Sequence, residues 1–333
     1  MSEFAANRLN VLNLMDDRDV EASGQDVIAG LTGQQKSLPP KYFYDSKGSK
    51  LFEQICKLPE YYPTRTETAI LKACSEAIAL ATGPCEIVEL GSGSSTKSRI
   101  LLDAYEKVGY PLRYLPVDVS ETMLIESAKQ LLNEYAGLSV EAIASTYELA
   151  LAALPPKQLP ARAIAFIGST IGNLTPNECE TCLESISKTL EIGDYFLLGL
   201  DLQKEISVLE AAYNDAQGIT AAFNLNMLEH LNHRFHGNFD LDKFAHIALY
   251  NLQDHQIEMY LESLAAQTVS LTALDLVVEF DKGDRILSEI SRKFNLTQMS
   301  EILSKHALKV TASYTDKREW FGILLCRKMA IAQ

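Results

Sequence analysis

The chain has 333 residues, of which 47% are hydrophobic, so we expect two domains with a large buried core. Its formal charge of −14 argues against nucleic acid and anionic membranes as partners, because both bind basic surfaces. The sequence has no apolar run near ~20 residues and no signal-peptide core, so we expect a soluble, cytoplasmic protein with a small-molecule substrate.

The first part of the chain is rich in tyrosine. Four tyrosines, at positions 42, 44, 61 and 62, lie in predicted loops that flank a short helix over residues 49–57. Such rings can cover a core or bind a ligand, and both interpretations stay open. As ligand-binding groups, their hydroxyls would hold an amino acid without adding charge. Residues 1–38 predict little beyond a short helix over 26–31.

A glycine turn follows the first strongly predicted strand. Residues 87–90 form an apolar strand, and residues 97–104 predict a helix. Between them, Gly91 and Gly93 let the backbone turn tightly and approach a ligand where a Cβ atom would collide. A strand, a glycine turn and a helix form the opening unit of a nucleotide-type site, although Gly-x-Gly also occurs in ordinary turns.

The residues around this turn indicate which cofactor it binds. The next strand, residues 113–117, ends in Asp118, where a ribose-binding acid is expected. Thr96 stands in place of the third glycine of a dinucleotide fingerprint, which disfavours a pyrophosphate cradle. Glu89 precedes the first glycine, an arrangement typical of methyltransferases. The pattern therefore favours S-adenosylmethionine, which has a ribose and no phosphate, over NAD.

Three further strands are predicted, and each ends in a polar or glycine-bearing loop. They cover residues 140–144, 163–167 and 195–200. Because the carboxyl ends of parallel strands meet at one edge of a sheet, Gly91, Asp118, Asn173 and Asp201 should gather there. We therefore predict an α/β fold with a Rossmann-like class I methyltransferase core, that is, a doubly wound sheet.

The pattern changes after residue 201. Helical stretches are followed by alternating extended segments, which suggest an antiparallel sheet over residues 245–252, 256–264, 274–280 and 285–291. We interpret this region as an insertion that forms a second, α+β domain together with the N-terminal residues. The predicted methyltransferase core comprises residues 65–201 and 292–333. The predicted substrate-binding domain comprises residues 1–64 and 202–291.

Two groups of residues suggest a metal site but fit simpler explanations. Cys179 and Cys182 form a C-x-x-C pattern within a predicted helix, but no second pair accompanies them. His230, His233 and His236 are spaced by three residues, which would place them near one another on a helix, but their run is more typical of a solvated helix end than of a ligand set. We expect buried thiols of a reducing compartment, a fraying helix end and no metal.

Eight segments in the same order resemble the L-histidine Nα-methyltransferases of ergothioneine biosynthesis. They are residues 42–45, 58–67, 89–97, 116–120, 168–173, 211–215, 220–226 and 288–294, so the resemblance covers about residues 40–327. Fungal enzymes that N-methylate a prenylated tryptophan share much of this pattern, so a tryptophan-derived or other amino acid remains an alternative substrate. A non-catalytic amino-acid sensor on the same scaffold is a third reading, which the intact glycine turn and Asp118 disfavour.

The resemblance implies a monomer that transfers three methyl groups from S-adenosylmethionine to the α-amino nitrogen of L-histidine. The products would be hercynine and S-adenosylhomocysteine. In the cofactor site, Gly91 would lie against the methionine part, Lys97 would approach its carboxylate, Asp118 would hold the ribose and Tyr147 would cover the adenine. Thr146 departs from the family, which has an aspartate there to contact the adenine, so this contact lacks its carboxylate.

The resemblance also implies a substrate site. Tyr61, Asn173 and Tyr213 would grip the α-carboxylate and amine, and Tyr44 would lie near the reacting nitrogen and the cofactor. Glu289 and Ser291 would bind the imidazole, and Met259 would line the ring pocket. Methyl transfer from a sulfonium is an in-line displacement, so the enzyme mainly supplies alignment and a neutral amine. Tyr44 and Tyr61 can relay the amine proton to water or can only bind, and both roles stay open.

Overall fold

The computed structural model describes residues 8–15, 24–93 and 95–330. Ser94 of the glycine turn, residues 1–7, 16–23 and 331–333 lie outside this part of the chain. The chain folds as two compact units. The core unit comprises Met1–Met15, Arg65–Leu202 and Phe294–Gln333, and the second unit comprises Asp16–Thr64 and Gln203–Lys293.

The elements of both units follow in chain order. The strands are β1 (Leu9–Asn13), β2 (Cys85–Leu90), β3 (Leu112–Asp118), β4 (Leu138–Ala144), β5 (Ala161–Phe166), β6 (Tyr195–Asp201), β7 (Phe244–Asn251), β8 (Gln256–Ser263), β9 (Gln267–Leu271), β10 (Leu276–Phe280), β11 (Arg285–Arg292), β12 (Leu308–Thr315) and β13 (Phe321–Lys328). The α-helices are α1 (Gln25–Thr32), α2 (Ser46–Ile55), α3 (Tyr62–Thr82), α4 (Ser98–Val108), α5 (Glu121–Glu134), α6 (Tyr147–Ala152), α7 (Pro176–Thr189), α8 (Ile206–Tyr213), α9 (Ile219–Phe235) and α10 (Leu296–Lys305).

The core unit is built on an eight-stranded sheet with the order β1-β4-β3-β2-β5-β6-β13-β12. The strands from β1 to β6 pair in parallel. The last two form an antiparallel hairpin in which β13 pairs with β6 and β12 pairs with β13. The strand order reverses direction at β2, which has β3 on one side and β5 on the other, so the carboxyl end of β2 lies at the switch point where such sheets bind ligands.

Both faces of this sheet are covered, which explains the continuous apolar strands. Ile87 and Tyr114 belong to one buried cluster, whereas their chain neighbours Val88 and Leu115 belong to another. Because successive strand residues point to opposite faces, a strand buried on both sides is apolar throughout. The predicted doubly wound α/β core is therefore confirmed.

The position of β1 differs from the predicted division of the chain into two domains. The sequence prediction placed residues 1–64 with the second domain, but β1 pairs in parallel with β4 at the edge of the core sheet. The strand is only five residues long and includes Asn10 and Asn13, so its apolar pattern is weak. The sequence analysis therefore did not predict β1.

The second unit contains two small antiparallel sheets. One has the order β11-β8-β7, and the other pairs β10 with β9. The sequence missed β9, and the strand predicted over residues 274–280 begins only at Leu276. Helix α9 continues to Phe235 and ends with His236 in a left-handed conformation. The helix end predicted in the histidine run therefore lies at Phe235, where His233 and His236 are exposed and His230 is half-buried. Within the described ranges, no helix is both long and apolar enough to cross a bilayer.

Candidate active site

The glycine turn of the core unit joins β2 to α4. Gly91 and Gly93 have positive φ angles of 72° and 49°. The amides of Gly91 and Ser92 donate to the carbonyl oxygen of Val117 at 2.9 and 3.1 Å, which fixes the turn against the end of β3. A Cβ atom at position 91 would lie 3.0 Å from the Tyr147 hydroxyl oxygen, whereas one at position 93 would meet nothing within 4 Å. The turn therefore has open space beside Gly93, whereas the backbone at Gly91 lies close to Tyr147.

Asp118 is oriented by backbone amides at the end of β3. Its Oδ2 accepts from the amide of Gly93 and its Oδ1 from the amide of Ser120, both at 3.0 Å. Burial raises the pKa of Asp118, and these amide hydrogen bonds oppose the shift. Each carboxylate oxygen can accept a second hydrogen bond, so a pair of vicinal hydroxyls such as those of a ribose matches this group.

Two buried serines come directly after the first glycine of the turn and after β4, at the carboxyl ends of strands of this sheet. Among the described residues, which leave out Ser94, neither Ser92 Oγ nor Ser145 Oγ has a hydrogen-bond partner. Ser92 lies in the glycine turn and Ser145 directly follows β4. Buried polar groups are normally paired, so these hydroxyls indicate that a polar ligand completes the site. With the open glycine turn and Asp118, the residues fit a nucleoside cofactor.

The two residues predicted to contact adenine differ in placement. Tyr147 is half-buried, and its ring packs edge-on against Phe166 with the centroids 5.2 Å apart. Thr146 is exposed and occupies the N-cap of α6 without a side-chain hydrogen bond to the helix. Its hydroxyl therefore neither caps the helix nor replaces the family's carboxylate.

Lys97 forms an ion pair that the sequence did not reveal. Its Nζ lies 2.6 Å from Oε2 of Glu67, whose side chain is only 1% exposed. The other oxygen, Oε1, accepts from the amide of Gly168 at 2.7 Å. Glu67 thus connects α3, Lys97 and the loop after β5. The resemblance assigned it no role, although it closes one of the eight matching segments.

Glu89 at the end of β2 is fully buried between two hydroxyl groups. Its Oε2 accepts from the Tyr114 hydroxyl at 2.5 Å and from the Ser98 hydroxyl. Burial raises the pKa of Glu89 to about 7 against these hydrogen bonds. The side chain therefore ties β2 to β3 and α4 beneath the glycine turn.

In the second unit, aromatic rings connect several of the predicted substrate residues. The Phe52 ring makes edge-on contacts with both Tyr44 and Tyr61, with ring centroids 5.9 and 6.3 Å away. Tyr61 contacts Tyr213 in turn, at 6.1 Å between centroids. Burial raises the pKa of Tyr61 well above its usual value, with smaller contributions from Tyr213, Cys56, Glu289 and Tyr44. Tyr61 is therefore a neutral phenol at physiological pH.

Tyr213 also joins a buried polar cluster. Its hydroxyl donates to Ser291 Oγ at 2.8 Å, and Lys293 Nζ donates to the same oxygen at 2.8 Å and to the Tyr213 hydroxyl at 3.1 Å. Ser291 and Lys293 are 7% and 3% exposed. Lys293 lies in the last of the matching segments but was given no role, because nothing in the sequence shows that a lysine is buried.

The strand β11 places Glu289 and Ser291 together. Its pairing with β8 contains an irregularity between Leu287 and Glu289, after which Glu289 lies opposite Met259 and Ser291 opposite Ile257. Residues two apart on a strand share a face, so the two side chains point to the same side, as predicted. Met259 is buried and Glu289 is half-buried.

The remaining candidates lie elsewhere. Asn173 belongs to the core unit, in the one-turn helix Thr170–Asn173 that follows β5.

The six cysteines are free thiols, and burial raises the pKa of Cys182 to about 12. His230 is half-buried and its Nδ1 contacts the carbonyl oxygen of Tyr42 at 2.8 Å, whereas His233 and His236 are exposed. Across the residues that the structure describes, no group of His, Cys, Asp or Glu could hold a metal ion.

Known proteins with similar sequences identify the family of the chain. The sequence model of a family described as "Histidine-specific methyltransferase, SAM-dependent" matches residues 23–328. The chain belongs to this family. It is thus an S-adenosylmethionine-dependent methyltransferase, and the resemblance drawn from the eight segments is confirmed.

Proteins similar to this chain differ in the substrates that their names give. The histidine N-alpha-methyltransferase of Mycolicibacterium smegmatis is 44% identical over 94% of this chain and 97% of its own length. Ergothioneine biosynthesis protein 1 of Schizosaccharomyces pombe is 30% identical over 83% of this chain and 37% of its own. The 4-dimethylallyltryptophan N-methyltransferase of Claviceps purpurea is 27% identical over 62% of each chain.

Proposed function

We propose that this methyltransferase transfers three methyl groups to the α-amino nitrogen of L-histidine, giving hercynine in an early step of ergothioneine biosynthesis. The observation that carries the proposal is the pair of Glu289 and Ser291 on one face of β11, with Met259 opposite Glu289 on β8. The 44% identity to a histidine N-alpha-methyltransferase over nearly the full chain supports it.

An imidazole and an indole make different demands on this pair. The imidazole has two ring nitrogens, which a carboxylate and a hydroxyl two residues apart can both bind. The indole has one N–H and no acceptor, so one side chain would lose its partner in a closed pocket. An unpaired buried polar group costs ~1–3 kcal/mol, and more when it is charged. The site is therefore proposed to prefer L-histidine over L-tryptophan.

The chain's own residues would hold the cofactor and the amine. S-adenosylmethionine supplies an electrophilic methyl group on a sulfonium. Asp118 would accept the ribose hydroxyls, and the backbone at Gly91 would approach the methionine part, with Lys97 near its carboxylate. Asn173 would bind the α-carboxylate of the substrate, and the Tyr213 hydroxyl, which donates its proton to Ser291 Oγ, would accept from the α-amine.

The α-nitrogen must lose a proton before each of the three transfers, first as the substrate ammonium and then as the mono- and dimethylated products. Tyr61 stays protonated because its pKa is raised, so it cannot act as a fixed anionic base. As a neutral phenol it would accept a hydrogen bond from the amine and donate its own proton onward. Tyr44, which is 43% exposed, would pass the proton to water.

The substrate proposal is tested by kcat/KM for L-histidine and L-tryptophan with the natural protein, Glu289→Ala and Glu279→Ala. Glu279 is an exposed carboxylate on β10 of the same unit and serves as the matched control. We expect strong preference for histidine, a roughly 10- to 100-fold loss on histidine in Glu289→Ala and no change in Glu279→Ala. Equal turnover of both amino acids, or a fully active Glu289→Ala, would contradict the proposal.

We also propose that the enzyme acts as a monomer, as the family resemblance implies. Light scattering at the concentrations used for the assay should give the mass of one chain, which is 36.9 kDa. A mass of two chains that persists on dilution would contradict a monomer.

A further inference from the structure

We propose that Lys293 acts as a positioning residue that makes the Ser291 hydroxyl a hydrogen-bond donor, so that the site selects a ring with one N–H and one acceptor nitrogen. This inference rests on the proposed function, because it concerns how that site distinguishes an imidazole from other rings. It starts from a lysine that is only 3% exposed within the second unit.

The hydrogen bonds that Ser291 already accepts determine whether its hydroxyl can donate to a ligand or accept from it. A serine hydroxyl has one proton to donate and two lone pairs that accept. Both lone pairs of Ser291 Oγ are in use, because the Lys293 ammonium and the Tyr213 hydroxyl each donate to this oxygen at 2.8 Å. The single role left to Ser291 toward a ligand is that of a donor.

Lys293 can enforce this arrangement because an ammonium group cannot accept. Its Nζ also donates to the Tyr213 hydroxyl at 3.1 Å and lies 4.9 Å from the centroid of the Tyr213 ring. With that contact in place, the Tyr213 hydroxyl uses its own proton toward Ser291. Without the lysine, the Ser291 proton could turn toward Tyr213, and Ser291 would then present an acceptor.

The backbone around the lysine is held independently of its side chain. The amide of Lys293 donates to the carbonyl oxygen of His255 at 2.7 Å, and its carbonyl oxygen accepts from Gln203 Nε2 at 3.4 Å. His246 contacts the carbonyl oxygen of Tyr213 at 2.9 Å and so fixes the other side of the cluster. A change of the Lys293 side chain therefore acts first on the hydroxyl directions.

The site would then offer the ligand ring one acceptor, Glu289, and one donor, Ser291. Glu289 can only accept when ionised, so it takes the ring N–H, and Ser291 donates to the other ring nitrogen. A neutral imidazole supplies this combination. A pyrrole ring keeps the N–H but has a C–H in place of the acceptor, so it would leave the Ser291 proton unpaired.

The test is calorimetric titration of the complex with S-adenosylhomocysteine, using L-histidine and the two pyrrolylalanine isomers. The variants are Lys293→Met, Lys293→Gln, which keeps N–H donors, and Lys243→Met as the control. Lys243 is a half-exposed lysine of the same unit that pairs with Asp240. For the natural protein, we expect the better pyrrolylalanine isomer to bind roughly 5- to 100-fold more weakly than histidine.

In Lys293→Met this ratio should fall by about threefold or more, because Ser291 can turn its proton to Tyr213. Lys293→Gln should give an intermediate ratio, and Lys243→Met should keep the natural one. A general loss of structure would weaken both ligands and leave the ratio unchanged. In a Ser291→Ala background, Lys293→Met should not change the ratio further, since its effect passes through Ser291.

An unchanged ratio in a Lys293→Met protein that still binds S-adenosylhomocysteine would overturn the inference. If Lys293→Met does not fold, an unchanged ratio in Lys293→Gln would overturn it instead. Natural protein that fails to bind histidine would contradict the proposed function itself, and the two failures are therefore distinguishable.

Discussion

At the scale of single residues, the candidate site depends on which hydroxyl groups donate and which accept. The sequence predicted the residue types of the site, including Glu289, Ser291 and Tyr61, because they lie in segments that match the family. It gave no role to Lys293 or Glu67. Each of these is a buried charged side chain with a specific partner, Ser291 for Lys293 and Lys97 for Glu67, and local spacing does not encode the burial of a charged side chain.

Tyr61 provides a first prediction, on pH dependence. Because burial raises the pKa of Tyr61, its phenol stays protonated across the working range, and the rise of kcat/KM with pH should report the substrate ammonium instead. Tyr61→Phe should lower kcat/KM while the midpoint of this rise stays in place. The measurement is a pH profile of both proteins with L-histidine. A midpoint that moves in Tyr61→Phe would assign the titration to the tyrosine.

Thr146 provides a second prediction at this scale. An aspartate there would restore the family's carboxylate and lower the dissociation constant of S-adenosylhomocysteine roughly two- to tenfold, through one gained hydrogen bond. Thr146 is also the N-cap of α6, and Asp is a better cap, so stability can rise independently. Thr146→Ser serves as the control, since serine also caps well but has no carboxylate. Equal affinities of the two variants would mean that another group binds the adenine.

At the scale of elements, long apolar strands were predictable, whereas two short edge strands were missed. The strands β2 to β6 are buried on both faces, and their apolar runs located them within a few residues. The strands β1 and β9 have five residues each and lie at sheet edges, where only a weak alternation remains. The spacing of His230, His233 and His236 indicated a helix end without fixing its last residue, which is the buried Phe235.

The turn between β2 and α4 yields a prediction with a close internal control. Gly91→Ala places a Cβ atom at a φ of 72° and 3.0 Å from the Tyr147 hydroxyl oxygen. Gly109→Ala has a similar φ of 83° at the end of α4, but its Cβ would meet nothing within 4 Å. Both variants should lose about 1–2 kcal/mol of stability. Only Gly91→Ala should lose affinity for S-adenosylhomocysteine in calorimetric titration, and equal affinities would contradict the placement of the cofactor.

At the scale of the whole molecule, a buried carboxyl group should make folding stability depend on pH. Burial raises the pKa of Glu89 from 4.5 to about 7, so the folded protein binds an additional proton between these values. The stabilisation is complete below pH ~4.5 and is lost as the pH rises through about 7, amounting to about 3 kcal/mol. Glu89→Gln should remove this contribution, and Glu279→Gln should not.

The measurement is the free energy of unfolding of the ligand-free protein from pH 5 to 8, by denaturant titration. The difference between the natural protein and Glu89→Gln should change with pH in the direction stated. A constant difference over this range would show that Glu89 has an ordinary pKa in the folded state.

The central claim, that this methyltransferase trimethylates L-histidine, is tested most directly by counting methyl groups. The enzyme is incubated with excess S-adenosylmethionine and limiting L-histidine, and both products are followed by mass spectrometry. We predict three molecules of S-adenosylhomocysteine for each histidine consumed, with all three methyl groups on the α-nitrogen of the product. Formation of S-adenosylhomocysteine that histidine does not stimulate, or a final product with fewer than three methyl groups, would contradict the account.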